Sequence, residues 1–486
     1  MEIGCVYSIE DYGTIGRPLP SPTHIPFGIA TIATVLKAGG HDPAMFVLCP
    51  DSRIGQVLDD YIARRRPKLF CLTAVSSQFA FIEEVARHIK ACDETIFVVL
   101  GGHHASLAPE GAIASPHIDA ICINEGDRAV IELAAAIESG AAVGGIANLW
   151  IKDRATGTIE KNPTLPFLQD LDTLPYIDRS MWDRWILDRE DGVSILVGRG
   201  CPYKCTYCSN HAMNRLAEGK FVRYRSPENM IGEIDHVRQQ YPNTRHIYLE
   251  VETITANLKK TFALFEALAD YNGRLATPIA FSMNQAFHSN FMKNTEKMEE
   301  FFELCGKANV VRLNVGLESG SEEIRKDVLR RPNYSNEEFA AFCAIAKSHG
   351  IDIVVYVLMN LPGETPEHFR ETVDLVKKIQ PRNVFLSIFH PYIGTDLHAL
   401  AASRGLIPSG TTKGRFERRS SVMRTPEFPS YRVKFEYILF WWRVYRGVWP
   451  LSRILYYMAK HNIFAYRRLG RLWNRFTARL VPRPGF

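Results

Sequence analysis

The sequence contains no apolar run approaching the eighteen or so residues that a membrane-spanning helix requires, and arginine breaks even its aromatic C-terminus every few positions. A chain of this kind is not expected to cross a bilayer. Cysteine is scarce: ten in 486 residues are too few for a disulfide framework, and three of them crowd into the eight residues from Cys201 to Cys208. That distribution points to a reducing compartment and a metal. The first residues, Met1-Glu2-Ile3-Gly4-Cys5-Val6, lack the basic region, apolar core and small-residue cleavage site of a secretory signal. They read as a first strand, and a cytoplasmic location is expected. No short-period repeat or low-complexity tract is found. Acidic residues are nearly missing from the end of the chain, where twelve Lys or Arg from Tyr431 onward stand against Glu436 alone. With a net charge of +5 overall, the tail carries about +11 and everything before it about −6.

What is present suffices for more than one core, since 46% of the residues are hydrophobic in a 55.1 kDa chain. Residues 1 to about 140 alternate strand-like and helix-like segments, the pattern of a parallel sheet covered on both faces. Strands are expected at Ile3–Tyr7, Met45–Leu48, Leu69–Val75, Ile96–Leu100 and Ala120–Ile123, with helices at Phe27–Lys37, Ile54–Arg65, Phe79–Lys90 and Arg128–Ile137. Five such strands suit a flavodoxin-like, doubly wound domain with its ligand site at the carboxyl ends of the strands. A connector carrying Pro163, Pro166 and Pro175 follows. Alternation then resumes through strands at Ser194–Val197, His246–Val251, Val310–Leu317, Ile353–Leu358 and Val384–Phe389, which suggests a partial or complete β/α barrel. The expected division is 1–147, a doubly wound domain; 148–187, a linker; 188–405, the barrel; and 406–486, a basic aromatic helical extension.

The segment Gly200-Cys201-Pro202-Tyr203-Lys204-Cys205-Thr206-Tyr207-Cys208 spaces three thiols by three and then two residues, directly after an expected strand. Thiolates are soft ligands suited to iron–sulfur chemistry, and three of them on a four-iron cluster leave one iron open. A zinc site and three incidental cysteines are the alternatives, but zinc normally takes four ligands and this loop offers three thiols. This spacing, with Tyr207 before the last cysteine, resembles the signature of the radical S-adenosylmethionine superfamily. The resemblance implies a [4Fe-4S] cluster on Cys201, Cys205 and Cys208, whose open iron chelates S-adenosylmethionine and cleaves it to a 5′-deoxyadenosyl radical. It also implies that Tyr207 lies near the adenine.

Gly316-Leu317-Glu318-Ser319-Gly320-Ser321 and Leu361-Pro362-Gly363-Glu364-Thr365 resemble landmarks of the cobalamin-associated branch. Glu318 and Ser319 are the resulting candidates for S-adenosylmethionine contacts. Gly363-Glu364 suits either a ligand contact or a turn whose acid complements a helix start. Asn360 stands where that branch usually has glycine, and Val251-Glu252 where it usually has two aspartates, leaving Glu252 as a candidate cofactor contact.

In the N-terminal domain, Gly101-Gly102-His103-His104-Ala105-Ser106 and Glu125-Gly126-Asp127 follow the fourth and fifth strands, where a ligand belongs. Joined to a radical domain, they resemble the cobalamin-binding domain of B12-dependent radical enzymes, which implies cobalamin contacts from Gly101, Gly102, His104, Ser106, Glu125 and Gly126. A loop histidine more commonly bonds neighbouring backbone, which is the other reading of His103 and His104. The Asp-x-His-x-x-G segment that supplies a cobalt ligand in other cobalamin domains is matched only by Asp11-Tyr12-Gly13-Thr14-Ile15-Gly16, with glycine in the histidine place. No histidine ligand is expected from that loop.

The combined resemblance spans roughly residues 1 to 400. It implies cobalamin-dependent radical methylation of an unactivated carbon on a small or lipid-like substrate, with electrons from a flavodoxin- or ferredoxin-type donor. A radical cyclase or rearrangement enzyme and a non-catalytic corrinoid or redox sensor are the competing functions. Methylthiolation is disfavoured, since neither a second three-cysteine cluster nor an RNA-binding tail module is found. The tail mixes Trp441, Trp442, Arg443, Tyr445, Arg446 and Trp449 with Phe464, Tyr466, Arg467, Arg468, Trp473 and Arg475, and Pro450 and Gly470 are expected to break it into helices. Two fates fit it: an anionic membrane surface, or packing over the barrel mouth. Nucleic acid is not expected as a partner, because no recognition module accompanies the basic run.

Overall fold

A computed structural model describes the chain except for residues 11, 191, 287–288, 409–417 and 464–486. Its contacts divide it into two units: Met1–Pro202 with Cys208–Glu252 and Asp270–Ala280, and Tyr203–Tyr207 with Thr253–Ala269 and the chain from Phe281 onward.

The first unit is built on a seven-stranded sheet. Its strands are β1 (Glu2–Ser8), β2 (Asp42–Leu48), β3 (Leu69–Thr73), β4 (Phe97–Gly101), β5 (Ala120–Cys122), β6 (Leu149–Lys152) and β7 (Ile159–Lys161), in the order β2-β1-β3-β4-β5-β6-β7. The first five are mutually parallel and follow the flavodoxin-like order, with Cys5 of β1 in register with Met45 and Cys71. Helices on both faces bury these strands completely, which is why Ile3–Val6, Leu69–Leu72 and Val98–Leu100 are unbroken apolar runs. Strand β2 begins three residues earlier than its apolar run and includes Pro43. It lies at the sheet edge, where a missing N–H is tolerated.

Residues of the expected connector continue the sheet. Strand β6 adds antiparallel to β5 and β7 antiparallel to β6, so Ala120 faces Ile151 and Trp150 faces Lys161. Further along, the Trp185 indole donates to the Met45 carbonyl at 2.8 Å.

In the same unit, β8 (Val193–Leu196) pairs in parallel with β11 (His246–Glu250), and the short β9 (Gly198–Arg199) pairs antiparallel with β10 (Arg223–Tyr224). Beneath them, Glu233 on the helix Pro227–Gln240 is buried between two arginines. Arg179 reaches its carboxylate at 2.8 Å and also bonds the Ser194 carbonyl, while Arg225 bonds its other oxygen and the Leu196 carbonyl. Three desolvated charges are stable only as a group.

The second unit carries β12 (Ala280–Gln285), β13 (Val310–Glu318), β14 (Asp352–Met359) and β15 (Asn383–Ile388), each parallel to the next. Helices Thr295–Lys307, Asn336–Ser348 and Pro366–Ile379 connect them. Asn294, Ser335 and Thr365 cap the three N-termini through their side chains. Strand β12 and helix Thr295–Lys307 are absent from the sequence expectations. The strand, Ala-Phe-Ser-Met-Asn-Gln, has no β-branched residue and places polar Ser282 and Gln285 in the interior.

The basic aromatic tail forms helices Ser430–Tyr445 and Leu451–Ile463, separated at Pro450 as expected; Gly470 and the expected features from Phe464 to Arg475 lie outside the described residues. The first of these helices packs on Pro366–Ile379. Phe440 meets Phe369 at 6.2 Å, and the Tyr445 hydroxyl donates to the Pro381 carbonyl. Among the described residues, no helix is long and apolar enough to cross a membrane.

Two stability outcomes follow from these packing arrangements. Glu233→Gln strands Arg179 and Arg225 without a counter-charge and is expected to cost about 3–5 kcal/mol, read as a lowered urea midpoint. Glu364 accepts from the Leu361 N–H and is fully buried, which pushes its carboxyl up to about 8. Unfolded, it ionises near the ordinary 4.5, so its contribution is complete below that pH and is lost as pH rises through about 8. Calorimetry should therefore find Glu364→Gln melting above the wild type at pH 8 and level with it near pH 5.

Candidate functional site

At the carboxyl ends of the parallel strands, the first unit encloses a cavity of about 490 Å³. Its wall takes Thr73–Val75 after β3, Gly101-Gly102-His103 at the end of β4, and Glu125-Gly126-Asp127 after β5. Gly198-Arg199-Gly200, leading into the cysteine loop, and Glu252, just past β11, complete it. Gly102 has φ +90°, and a Cβ there would lie 2.6 Å from Thr73 Oγ1 and 2.8 Å from the Ala74 carbonyl. Only glycine lets these two loops approach so closely.

Of the six cobalamin candidates, Gly101, Gly102, Glu125 and Gly126 face this cavity, and His104 and Ser106 are not part of its wall. The His104 ring stacks on Phe79 at 4.1 Å and bonds the Ser76 hydroxyl, and burial lowers it to about 4, so it is neutral at physiological pH. The Ser106 hydroxyl accepts from the Asn124 N–H at 2.9 Å and so braces the loop after β5. His103 is the histidine of the pair that reaches the cavity. In the loop after β1, Asp11 lies outside the described residues.

Glu125 is tied into a cluster that sequence inspection missed. Its carboxylate takes bonds from Arg199 at 3.0 Å, Arg223 at 2.9 Å and the Leu168 N–H at 2.8 Å, while Arg199 also bonds Asp127 at 2.7 Å. The side chains of Arg223, Asp127, Glu125 and Arg199 are only 4%, 13%, 17% and 19% exposed, so the ions are held largely out of water. Glu252 bonds Asn210, and Glu250, two residues earlier, is pushed up to about 7 by burial and by the Glu252 charge.

The cysteine loop runs without regular structure from the end of β9 to the helix Ser209–Met213, and none of the ten cysteines is in a disulfide. Gly200 opens the loop with φ +89°, where a side chain would collide with the Phe221 backbone. Cys201 and Cys208 are half-buried and Cys205 is buried. The middle of the loop belongs to the second unit. Thr206 anchors it there, donating from its N–H to the Leu329 carbonyl and from its hydroxyl to the Val328 carbonyl.

Around that anchor the second unit brings together Cys205, Tyr207, Glu318 and a residue that sequence inspection missed, Arg331. Its guanidinium donates to the Tyr207 hydroxyl at 2.9 Å and to the Gly316 carbonyl. It also lies 3.8 Å from the Glu318 carboxylate and 4.0 Å from Cys205 Sγ. Burial pushes the Cys205 thiol up, with Arg331 pulling the other way. Glu318 is likewise raised by burial and restrained by Arg331 and Tyr207. Glu318 sits at φ +64° beside a register shift that ends β13, which turns its side chain off the strand's alternation. Ser319 is fully buried, and its hydroxyl accepts from the Ser321 N–H within its own loop. Arg331 Nε is buried without a partner among the described residues, a donor suited to the carboxylate of an amino-acid ligand.

The donor chemistry thus fits three groups: three thiols for an iron cluster, a glycine-lined cavity at the sheet's carboxyl edge for a corrinoid, and a buried Tyr–Glu–Arg set for S-adenosylmethionine. Comparison with known proteins decides the matter. Residues 195–376 match the Radical SAM superfamily and residues 20–134 the B12 binding domain. The chain is a B12-binding radical S-adenosylmethionine enzyme. An uncharacterised methyltransferase of Pyrococcus horikoshii is 24% identical over 424 residues, 87% of this chain and 86% of its own. The anaerobic magnesium-protoporphyrin IX monomethyl ester cyclase of Rubrivivax gelatinosus is 24% identical over 386 residues, 76% of this chain and 65% of its own. Among solved structures, the radical S-adenosylmethionine methyltransferase TsrM of Kitasatospora setae, with tryptophan and an S-adenosylmethionine analogue bound, shares the fold. Its TM-score is 0.63 at 19% identity, over 84% of this chain and 77% of its own. The cofactors of this B12-binding radical enzyme are the [4Fe-4S] cluster, S-adenosylmethionine and cobalamin.

With Cys205 as a ligand of the iron–sulfur cluster, a cation 4.0 Å from its sulfur would favour the cluster's reduced state. Arg331→Gln is therefore expected to retain iron but move the cluster's midpoint potential negative by on the order of tens of millivolts. Redox titration followed by electron paramagnetic resonance measures this directly.

Proposed function

We propose that this enzyme methylates an unactivated carbon of a small or hydrophobic substrate. The observation that carries the proposal is the cavity of the first unit, whose wall joins the β4 and β5 loops to the strand that enters the cysteine loop. Cys201, Cys205 and Cys208 would hold the cluster, and Gly101, Gly102, Glu125 and Gly126 the corrinoid, with His104 and Ser106 fixing the loops behind them. Tyr207, Glu252, Glu318 and Ser319 would hold S-adenosylmethionine, with Arg331 added to the set. When bound, the cluster and the corrinoid supply reductive cleavage of S-adenosylmethionine and methyl carriage.

The chain's own residues orient and desolvate. Arg331 fixes the Tyr207 hydroxyl and the Glu318 carboxylate in one place, and Gly102 and Gly126 keep the cavity wall low enough for a large flat ligand to lie against backbone. Tyr7, Phe27, Ile29, Ile32 and Val130 give the wall an apolar character that favours a hydrophobic substrate. The exposed Tyr431, Phe435, Leu451 and Leu455, among Arg432, Lys434 and Arg446, support contact of the C-terminal helices with an anionic membrane face.

Anaerobic reconstitution with iron, sulfide, reductant and S-adenosylmethionine, with and without cobalamin, tests the reaction. Mass spectrometry is expected to find S-adenosylhomocysteine only when cobalamin is present, together with 5′-deoxyadenosine. 5′-Deoxyadenosine without cobalamin-dependent S-adenosylhomocysteine would instead favour cyclisation, the activity named for the Rubrivivax relative. Loss of both products, with Cys201→Ala behaving as the wild type, would remove radical chemistry altogether.

A further inference from the structure

Three side chains of different chemistry converge on the surface of the first unit, on elements that take no part in the cavity. His88 and Cys92 stand one turn apart on the helix Phe79–Cys92, and Asp59 projects from the neighbouring helix Ile54–Arg65. The His88 Nε2 lies 2.7 Å from Asp59 Oδ1, Cys92 Sγ lies 3.6 Å from the same oxygen, and Cys92 Sγ lies 3.7 Å from His88 Nε2. One imidazole nitrogen, one thiol and one carboxylate oxygen thus form a triangle with every edge under 4.8 Å.

The triangle has the dimensions of a metal face. Bond lengths of about 2.0–2.1 Å to nitrogen or oxygen and about 2.3 Å to sulfur, in a tetrahedron, give edges of about 3.3–3.6 Å. The two sulfur edges already match, and only the Asp59–His88 hydrogen bond must open slightly to admit an ion. Gly55 keeps the place clear, since a Cβ there would lie 2.7 Å from Asp59 Oδ2 and 3.3 Å from the His88 ring. Asp59 is exposed, so an ion has an entry path and a water can complete the tetrahedron.

We infer that Asp59, His88 and Cys92 form a second metal site, separate from the cysteine loop, for a zinc-class divalent cation. Borderline N, S and O donors in a tetrahedral face select zinc over the hard, six-coordinate cations. Binding exchanges the Cys92 thiol proton for the metal, releases that proton to solvent, and staples helix Ile54–Arg65 to helix Phe79–Cys92.

The test uses the full chain with its cluster and cobalamin loaded, titrated anaerobically with zinc against a chromophoric chelator. The wild type is expected to take up one more equivalent of zinc than Cys92→Ser, with the same iron content in both. Asp59→Asn and His88→Gln should weaken binding at least about tenfold, since each removes one of three protein ligands. Zinc should raise the melting temperature of the wild type and leave that of Cys92→Ser unmoved, the two melting together without zinc because Cys92 is exposed. Equal zinc uptake by the wild type and Cys92→Ser, or no uptake by the wild type at micromolar zinc, would overturn the inference. Neither result bears on whether methyl transfer occurs, because Asp59, His88 and Cys92 lie apart from the cavity wall.

Discussion

Everything that surrounds the cavity depends on how four charges are kept out of water. Arg199 and Arg223 flank the cysteine loop on a two-residue antiparallel pairing that could not persist alone, and both converge on Glu125, with Asp127 taking the remaining donors of Arg199. Each ion is largely desolvated, so the loss of any one leaves the buried charge out of balance. The cost fixes geometry. The loop after β5 cannot drift from the strand that precedes Cys201 without exposing that imbalance, so the ion cluster sets the distance between the carboxyl edge of the sheet and the start of the cysteine loop.

This constraint also explains the role of Glu125. A carboxylate at the carboxyl end of a strand looks, in sequence, like a ligand contact, because that is where ligands sit in doubly wound folds. Three donors from the protein already meet it, and its charge balances arginines that a linear reading cannot place nearby, since Arg199 and Arg223 are 74 and 98 residues away. Arg331 escaped notice for the same reason. It follows Tyr207 by 124 residues and belongs to no motif, and only folding puts it beside Cys205 and Glu318. The cysteine loop, in contrast, stands out in the sequence because its three thiols lie within eight residues.

The fold was legible where burial is symmetrical and illegible where it is not. Strands covered on both faces become apolar runs, and β1, β3, β4 and β14 stand out for that reason. Strands β6 and β7 did not. Their residues, Leu-Trp-Ile-Lys and Ile-Glu-Lys, lie among prolines and polar turns, and they add antiparallel at the far side of the sheet, with β7 as its edge. The helix Thr295–Lys307 had the right period, with Met298, Phe301, Phe302 and Cys305 all buried, but the polar strand β12 before it hid the unit to which it belongs.

Asn360 shows how a departure from a family pattern can be conservative in physical terms. The resemblance of the segment around it to the cobalamin-associated branch implies a glycine at this place, which by sequence alone suggests a changed pocket. Its backbone is left-handed, φ +64°, and asparagine is among the few residues besides glycine that adopt this conformation readily. The side chain then gains partners glycine lacks: its amide donates to the Ser421 hydroxyl and its carbonyl accepts from Thr425, both at 2.7 Å. The turn is kept, and residues well beyond β15 are fastened to the end of β14. Val251-Glu252 has no such equivalence. Val251 is buried, and the charge on Glu252 faces the cavity while raising the Glu250 carboxyl behind it. Asn360 thus serves the backbone, whereas Glu252 contributes to the electrostatics of the cavity wall.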